Sequence, residues 1–68
     1  MNEGTFMLLK TEIDTILTYI LKYVNYMNSI EDKIEQERVS VMIKNCHEDL
    51  KLKQNELNSF VSMYNKTN

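Results

Sequence analysis

The chain has 68 residues, a mass of 8.1 kDa and a net charge of -2, with no proline, one glycine, one cysteine and one histidine. A chain of this length forms one small domain, here residues 1–68, and it buries too little surface to be stable without a staple or a partner. One cysteine cannot form an internal disulfide, and one histidine beside one cysteine is too few for a structural zinc site. We therefore expect no metal and no cofactor, and a second protein chain is the predicted source of stability.

The charge pattern and the hydropathy pattern exclude two classes of partner. Charges of both signs alternate along an acidic chain of pI 5.2, whereas nucleic-acid binding needs a basic field. The most apolar stretch, Thr15 to Met27, is interrupted by Lys22 and is shorter than the roughly 20 residues of a membrane span. We expect neither a nucleic acid nor a membrane as partner, and the lone thiol favours the cytoplasm.

The first predicted helix covers about residues 5–27. Nothing in this stretch opposes helix, and its apolar residues are spaced alternately three and four apart, which is typical of a helix packed in a bundle. They are Phe6, Leu9, Ile13, Ile16, Ile20, Tyr23 and Met27. Leu17, Tyr19, Val24 and Tyr26 widen this stripe, so we expect the helix to have more than one neighbour.

A turn is predicted where the apolar pattern stops, around Asn28 and Ser29. The string Ser29-Ile30-Glu31-Asp32 fits a capping box in which Ser29 caps the next helix. The second helix is then predicted over about residues 30–64. Folding about this turn makes the two helices antiparallel.

The second helix carries two apolar rows that do not share one register. Ile30, Ile34 and Val41 form one row, and a longer row follows with Lys53 at one of its positions. The longer row is Val39, Ile43, Cys46, Leu50, Leu57, Phe60 and Tyr64. A stutter between Ile34 and Ile43 would reconcile the two rows. The alternative is a break between Asn45 and Asp49 that produces a third helix; we favour the continuous helix.

The predicted lengths leave part of the second helix uncovered. A helix of 35 residues is about 52 Å long and one of 23 residues about 35 Å, so the second helix overhangs the first by more than a dozen residues. Four apolar side chains of the overhang then need another chain to cover them: Leu57, Phe60, Val61 and Tyr64. A second copy, forming a symmetric helical bundle, is the simplest such chain.

No set of residues has the pattern of a catalytic or metal site. Cys46 and His47 are adjacent, so on a helix they point about 100° apart and are expected in core or boundary positions. The carboxylates of the second helix are interleaved with lysines, as on a solvated face. Tyr19, Tyr23 and Tyr26 cluster at one end of the first helix, and aromatic residues of this kind are typical of protein interfaces.

The string QNELNSFVSMYNK, Gln54 to Lys66, resembles the SQELDxLIxxY signature of the small phosphatases that act on aspartyl-phosphate response regulators in sporulating bacilli. The positions that match are Glu56, Leu57, Phe60, Val61 and Tyr64. The chain departs from the signature with Gln54 in place of the serine, Asn55 in place of the glutamine and Asn58 in place of the aspartate. The resemblance implies a helical hairpin and a regulatory phosphatase whose carboxamides could orient a water.

The sequence thus predicts an all-α antiparallel hairpin that assembles into a bundle with a second chain. Its predicted function is that of a non-enzymatic interaction module, an adaptor, co-chaperone or inhibitor of a larger protein. The alternative is the phosphatase that the C-terminal resemblance implies. The predicted partner-binding residues are Leu57, Phe60, Val61, Tyr64, Tyr19, Tyr23 and Tyr26.

Overall fold

The computed structural model describes residues 3–67, with side chains described as far as Asn65. This part of the chain forms two α-helices and no strand: α1 is Glu3–Ser29 and α2 is Lys33–Thr67. The helices pack side by side as an antiparallel hairpin that measures 54 × 15 × 12 Å. The predicted all-α hairpin is confirmed, and residues 1, 2 and 68 of the predicted domain lie outside the described residues.

The second helix is continuous through Asn45 to Asp49, where a break was the alternative. Most residues of this segment have low helix propensity, but Cys46 within it and Leu50 directly after it are half-buried on the row that packs against α1. Most helical stability in proteins comes from such packing of an apolar face. Tertiary contact therefore carries the helix across its weakest stretch.

The turn is Ile30 to Asp32, and Asp32 caps α2. The backbone N–H of Ile34 donates to Asp32 Oδ1 at 2.9 Å, the usual bond of an N-cap residue. Ser29 still belongs to α1, because its hydroxyl donates to the carbonyl of Tyr26 at 2.7 Å. The predicted capping box at Ser29 is therefore wrong: its hydroxyl is bonded within the last turn of α1, and the cap lies three residues later.

Gln36 closes the turn from the α2 side. Its side-chain amide donates to the carbonyl of Ile30 at 2.7 Å, and this bond is partly buried. The backbone N–H of Ile30 donates in turn to Met27 at 3.4 Å. These bonds satisfy polar groups of the turn that packing removes from water.

The apolar stripe of α1 is confirmed, and α2 packs against it through a single row. All seven stripe residues of α1 are buried or half-buried, with Leu9, Ile13 and Ile20 the most enclosed. The longer row of α2 continues from Val39 towards the N-terminus to Gln36, with the same alternation of three and four residues. No stutter therefore occurs between Ile34 and Ile43, and that prediction is wrong. Of the predicted first row, Ile34 and Val41 are 73% and 58% exposed, and Ile30 is half-buried in the turn.

The pairing of the helices differs from the predicted register. Lys53 Nζ lies 2.6 Å from Glu12 Oε2, and the Tyr26 hydroxyl lies 3.5 Å from Glu35 Oε1. Folding about Asn28 and Ser29, the predicted turn, would instead place Phe6 near Lys51.

The shift arises because α1 is longer than predicted and the turn lies farther along the chain. The helices have 27 and 35 residues, a difference of eight rather than more than a dozen. The four apolar residues of the predicted overhang, Leu57, Phe60, Val61 and Tyr64, are consequently half-buried within the hairpin. The expectation that they lack any contact within the chain is wrong.

Replacing Asp32 by alanine removes the cap of α2. We expect the free energy of unfolding to fall by about 1 kcal/mol, the usual effect of losing an N-cap side chain. Urea unfolding followed by circular dichroism, at one fixed protein concentration, measures this loss. Glu31→Ala, one residue earlier in the exposed turn, is the matched control and should leave the midpoint unchanged; equal loss in both variants would contradict the cap assignment.

Candidate functional site

A hairpin of two helices has two broad faces, and here they differ in charge. We call one the acidic face and define it by the charged and tyrosine side chains beside the seam on that side. Those residues are Glu12, Tyr19, Tyr23, Tyr26, Glu35, Asp49, Lys53 and Glu56. It carries four carboxylates and one ammonium.

Lys53 is the centre of the acidic face. Its ammonium lies 2.6 Å from Glu12 Oε2 and 3.8 Å from Glu56 Oε2, so it bridges α1 and α2. Glu12 Oε2 is enclosed by protein atoms, and the Lys53 side chain is one-third exposed. A charged group at a seam position therefore has its partner on the opposite helix.

The surroundings of Lys53 hold its proton more tightly than water does. The hydrogen bond to Glu12 raises the pKa of Lys53 above its ordinary value of 10.5, and the charges of Glu12, Glu56 and Asp49 raise it further. Desolvation acts in the opposite direction but is outweighed. The folded state thus favours the charged ammonium.

The tyrosines lie on the acidic face near the turn. The rings of Tyr19 and Tyr23 stack with centroids 6.2 Å apart and planes 18° from parallel. Tyr26 donates to Glu35 Oε1 at 3.5 Å, while Glu35 Oε2 lies 3.7 Å from Arg38. Tyr19 and Tyr26 are nearly half exposed, so the predicted cluster exists and is accessible to solvent.

The opposite side of the seam is free of charge from Ile13 to Met27 in α1 and from Gln36 to Tyr64 in α2, and Lys10 and Lys33 continue the same helical positions beyond these limits. We call it the uncharged face and define it by the seam residues on that side and their flanks, as helical periodicity places them. In α1 they are Ile13, Leu17, Ile20, Val24 and Met27; in α2 they are Gln36, Ser40, Ile43, His47, Leu50, Gln54, Leu57, Val61 and Tyr64. A shallow depression formed by Met27, Lys33, Gln36, Glu37 and Ser40 confirms the pairing at the turn end.

A groove of about 800 Å³ opens on the acidic face where α1 begins. Its walls are Leu8, Leu9 and Thr5 on one helix and Leu52, Phe60 and Met63 on the other, with Glu12, Lys53 and Glu56 at its inner end. It is wide open to solvent. Its wall residues are mostly apolar, which suits contact with another apolar side chain better than chemistry.

The predicted partner-binding residues do not form one site. The three tyrosines lie on the acidic face near the turn. Leu57, Val61 and Tyr64 lie on the uncharged face near the open end of the hairpin, and Phe60 lines the groove on the acidic face. The tyrosine cluster and the cluster of Leu57, Val61 and Tyr64 therefore lie on different faces and near opposite ends of the hairpin.

Several exposed apolar residues were missed as site candidates. Leu21 is 66% exposed at the edge of the uncharged face, and Leu52 and Met63 are similarly exposed beside the groove. The signal that could have found them is the helical position of each residue relative to the seam. The sequence does not give the register of the two helices, so it does not show which flank of α1 lies on the same face of the hairpin as which flank of α2.

The residues weighed for chemistry are dispersed. Cys46 is half-buried on the seam and His47 is exposed, as expected of core and boundary positions. Gln54, Asn55 and Glu56 are consecutive on one helix, so their side chains diverge, whereas Asn58 lies one turn later and is a neighbour of Gln54 and Asn55 on the helix surface. Glu56 is paired with Lys53. Within residues 3–67 no three metal-ligating side chains come together.

Neither described helix combines the length and hydropathy needed to cross a membrane. Comparison of the chain with known protein families, with characterised proteins and with solved structures finds no match.

Removing the Lys53 ammonium should change how stability depends on pH. Because the pKa of Lys53 is raised on folding, its contribution is fully present below pH 10.5 and is lost as the pH rises through the higher pKa of the folded state. We expect Lys53→Met to lower the free energy of unfolding at neutral pH and to reduce the further loss in alkali.

Urea unfolding at neutral and at alkaline pH measures both effects. Lys22→Met, which removes an exposed lysine of α1, is the matched control and keeps all four tyrosines. An alkaline loss of stability that is the same in Lys53→Met and Lys22→Met would show that the Lys53 cluster does not contribute.

Proposed function

We propose that this chain is a non-enzymatic interaction module, an adaptor, co-chaperone or inhibitor that works by packing exposed apolar helix surface against another protein chain. The observation that carries the proposal is the distribution of burial. Among the described side chains, four apolar ones are buried and twelve large apolar ones are exposed. Exposed apolar surface of this extent is typical of a surface that another chain covers.

The thinness of the hairpin supports the same proposal. Its smallest dimensions are 15 and 12 Å, which leaves room for one layer of two helices. Each helix can hide one stripe against the other, and the rest of its apolar surface stays in water. The half-buried residues Leu57, Val61 and Tyr64 and the exposed tyrosines Tyr19 and Tyr26 are all available to extend a core into a second layer.

Photo-crosslinking in cells that express the protein tests the proposal. A benzophenone amino acid in place of Leu21 probes the edge of the uncharged face, and one in place of Tyr19 probes the acidic face. We expect a discrete protein adduct from at least one position. The same amino acid in place of Glu48, on the outer side of α2, should give none. The proposal fails if Leu21 and Tyr19 both give no adduct.

The phosphatase alternative makes a separate prediction. Since Asn55 and Asn58 stand where the phosphatase signature has glutamine and aspartate, we expect an excess of this protein to leave the decay of a phosphorylated receiver domain unchanged. Following the phosphorylated fraction over time measures this. Accelerated decay that Asn55→Ala abolishes would instead favour the phosphatase.

A further inference from the structure

We propose that the uncharged face binds the uncharged face of a second copy of this chain, so that two hairpins form a four-helix bundle with α1 of each copy lying over α2 of the other. The inference rests on the proposed function and names its partner.

Charge distinguishes the two faces as surfaces for self-association. Two copies that met through the acidic face would bring together two sets of four carboxylates, each set with two cations, the Lys53 ammonium and the Arg38 guanidinium beside Glu35. Like charges placed opposite one another are repulsive. The uncharged face has no aspartate, glutamate, lysine or arginine on its defining positions from Ile13 to Met27 in α1 and from Gln36 to Tyr64 in α2.

The apolar content of the uncharged face suits a buried contact. Leu17 and Val24 are 41% and 39% exposed, and Leu21 at the edge is 66% exposed. The seam residues beside them, such as Ile43 and Leu57, are half-buried and have a free side toward solvent. A second hairpin laid on this face would cover both groups at once.

The size of the face matches what a stable dimer needs. The hairpin is 54 Å long and 15 Å wide. A whole side of these dimensions has about the 800 Å² that each partner contributes to a standard protein interface, with the uncharged positions at its centre and charged residues such as Lys10 and Lys33 at its rim. A second hairpin of the same length and width covers it completely.

The rim of the face selects the orientation. On the outer edge α1 carries Asp14, and α2 carries Lys44 and Lys51. With α1 over α1 of the partner, α2 would lie antiparallel over its own copy, so the two lysine-bearing edges would face each other and the Asp14 edge would face its own copy. With α1 over α2 of the partner, the register of the hairpin brings Asp14 next to the other copy's Lys51 instead. The second arrangement pairs opposite charges twice, once on each side of the symmetry axis.

Sedimentation equilibrium of the purified chain and two leucine variants tests the choice of face. We expect the wild type to be a dimer and Leu17→Glu to weaken dimerisation roughly a hundredfold or more, because a carboxylate would enter an apolar contact. Leu8→Glu makes the same change on α1 away from the uncharged face and should leave the dimer intact. A monomeric wild type, or a dimer broken by Leu8→Glu and retained in Leu17→Glu, would overturn the proposal.

A charge exchange tests the orientation without placing a charge in the core. Asp14→Lys and Lys51→Asp should each weaken the dimer roughly threefold to tenfold, as expected for two exposed ion pairs, and the double variant should restore it. Circular dichroism verifies that each variant is helical. Failure of the double variant to restore dimerisation would overturn the arrangement of α1 over α2.

These results separate the inference from the proposed function. A cellular adduct of the Leu21 probe with the mass of two chains supports both. An adduct with a different protein, together with a monomeric purified chain, would overturn self-association and leave the interaction module standing. The absence of every adduct would remove the proposed function itself.

Discussion

Each of two packed helices can bury only one stripe of its surface against the other, and this limit determines how many apolar side chains the hairpin can bury. The stripe of α1 meets a single row of α2, and only Leu9, Ile13, Ile20 and Val39 become buried among the described side chains. Every other apolar side chain in the described part of the hairpin stays at least partly in water. The helices are long enough to be well formed, but one layer has no interior in the sense of a larger domain.

The polar residues of the seam give the hairpin its register. Gln36 replaces an apolar residue at one end of the α2 row and bonds to the turn, and Lys53 replaces one farther along and bonds to Glu12. Apolar contacts tolerate a shift of one heptad, whereas these polar groups find partners in one pairing only. A polar residue at a seam position is a known means of specifying register at some cost in stability. The Lys53 cluster also concentrates acidic charge on one face and so makes the two faces chemically different.

The sequence pattern predicts the structure best where it depends on residues that are close together in the chain. The stripe from Phe6 to Met27 is correctly predicted because each member depends on neighbours three or four residues away. The cap was misplaced from Asp32 to Ser29 because both residues satisfy the same local preference, and only the packing of the turn distinguishes them. The row through Ile34 and Val41 was predicted to be buried because apolar residues favour burial, but in this hairpin Gln36 holds the seam position and Ile34 faces solvent.

Residue spacing alone determined that this chain is helical, that it has one turn near residue 30 and that its apolar surface exceeds what one hairpin hides. Those properties follow from the periodicity of the chain and from its length. Tertiary structure decided the register, and with it which residues share a face. Tyr19, Tyr23 and Tyr26 were predicted to bind a partner together with Leu57, Val61 and Tyr64, but the two groups lie on opposite faces. The physical reason is that a face consists of residues from two helices, and their juxtaposition depends on contacts such as Glu12 with Lys53, between residues far apart in the chain.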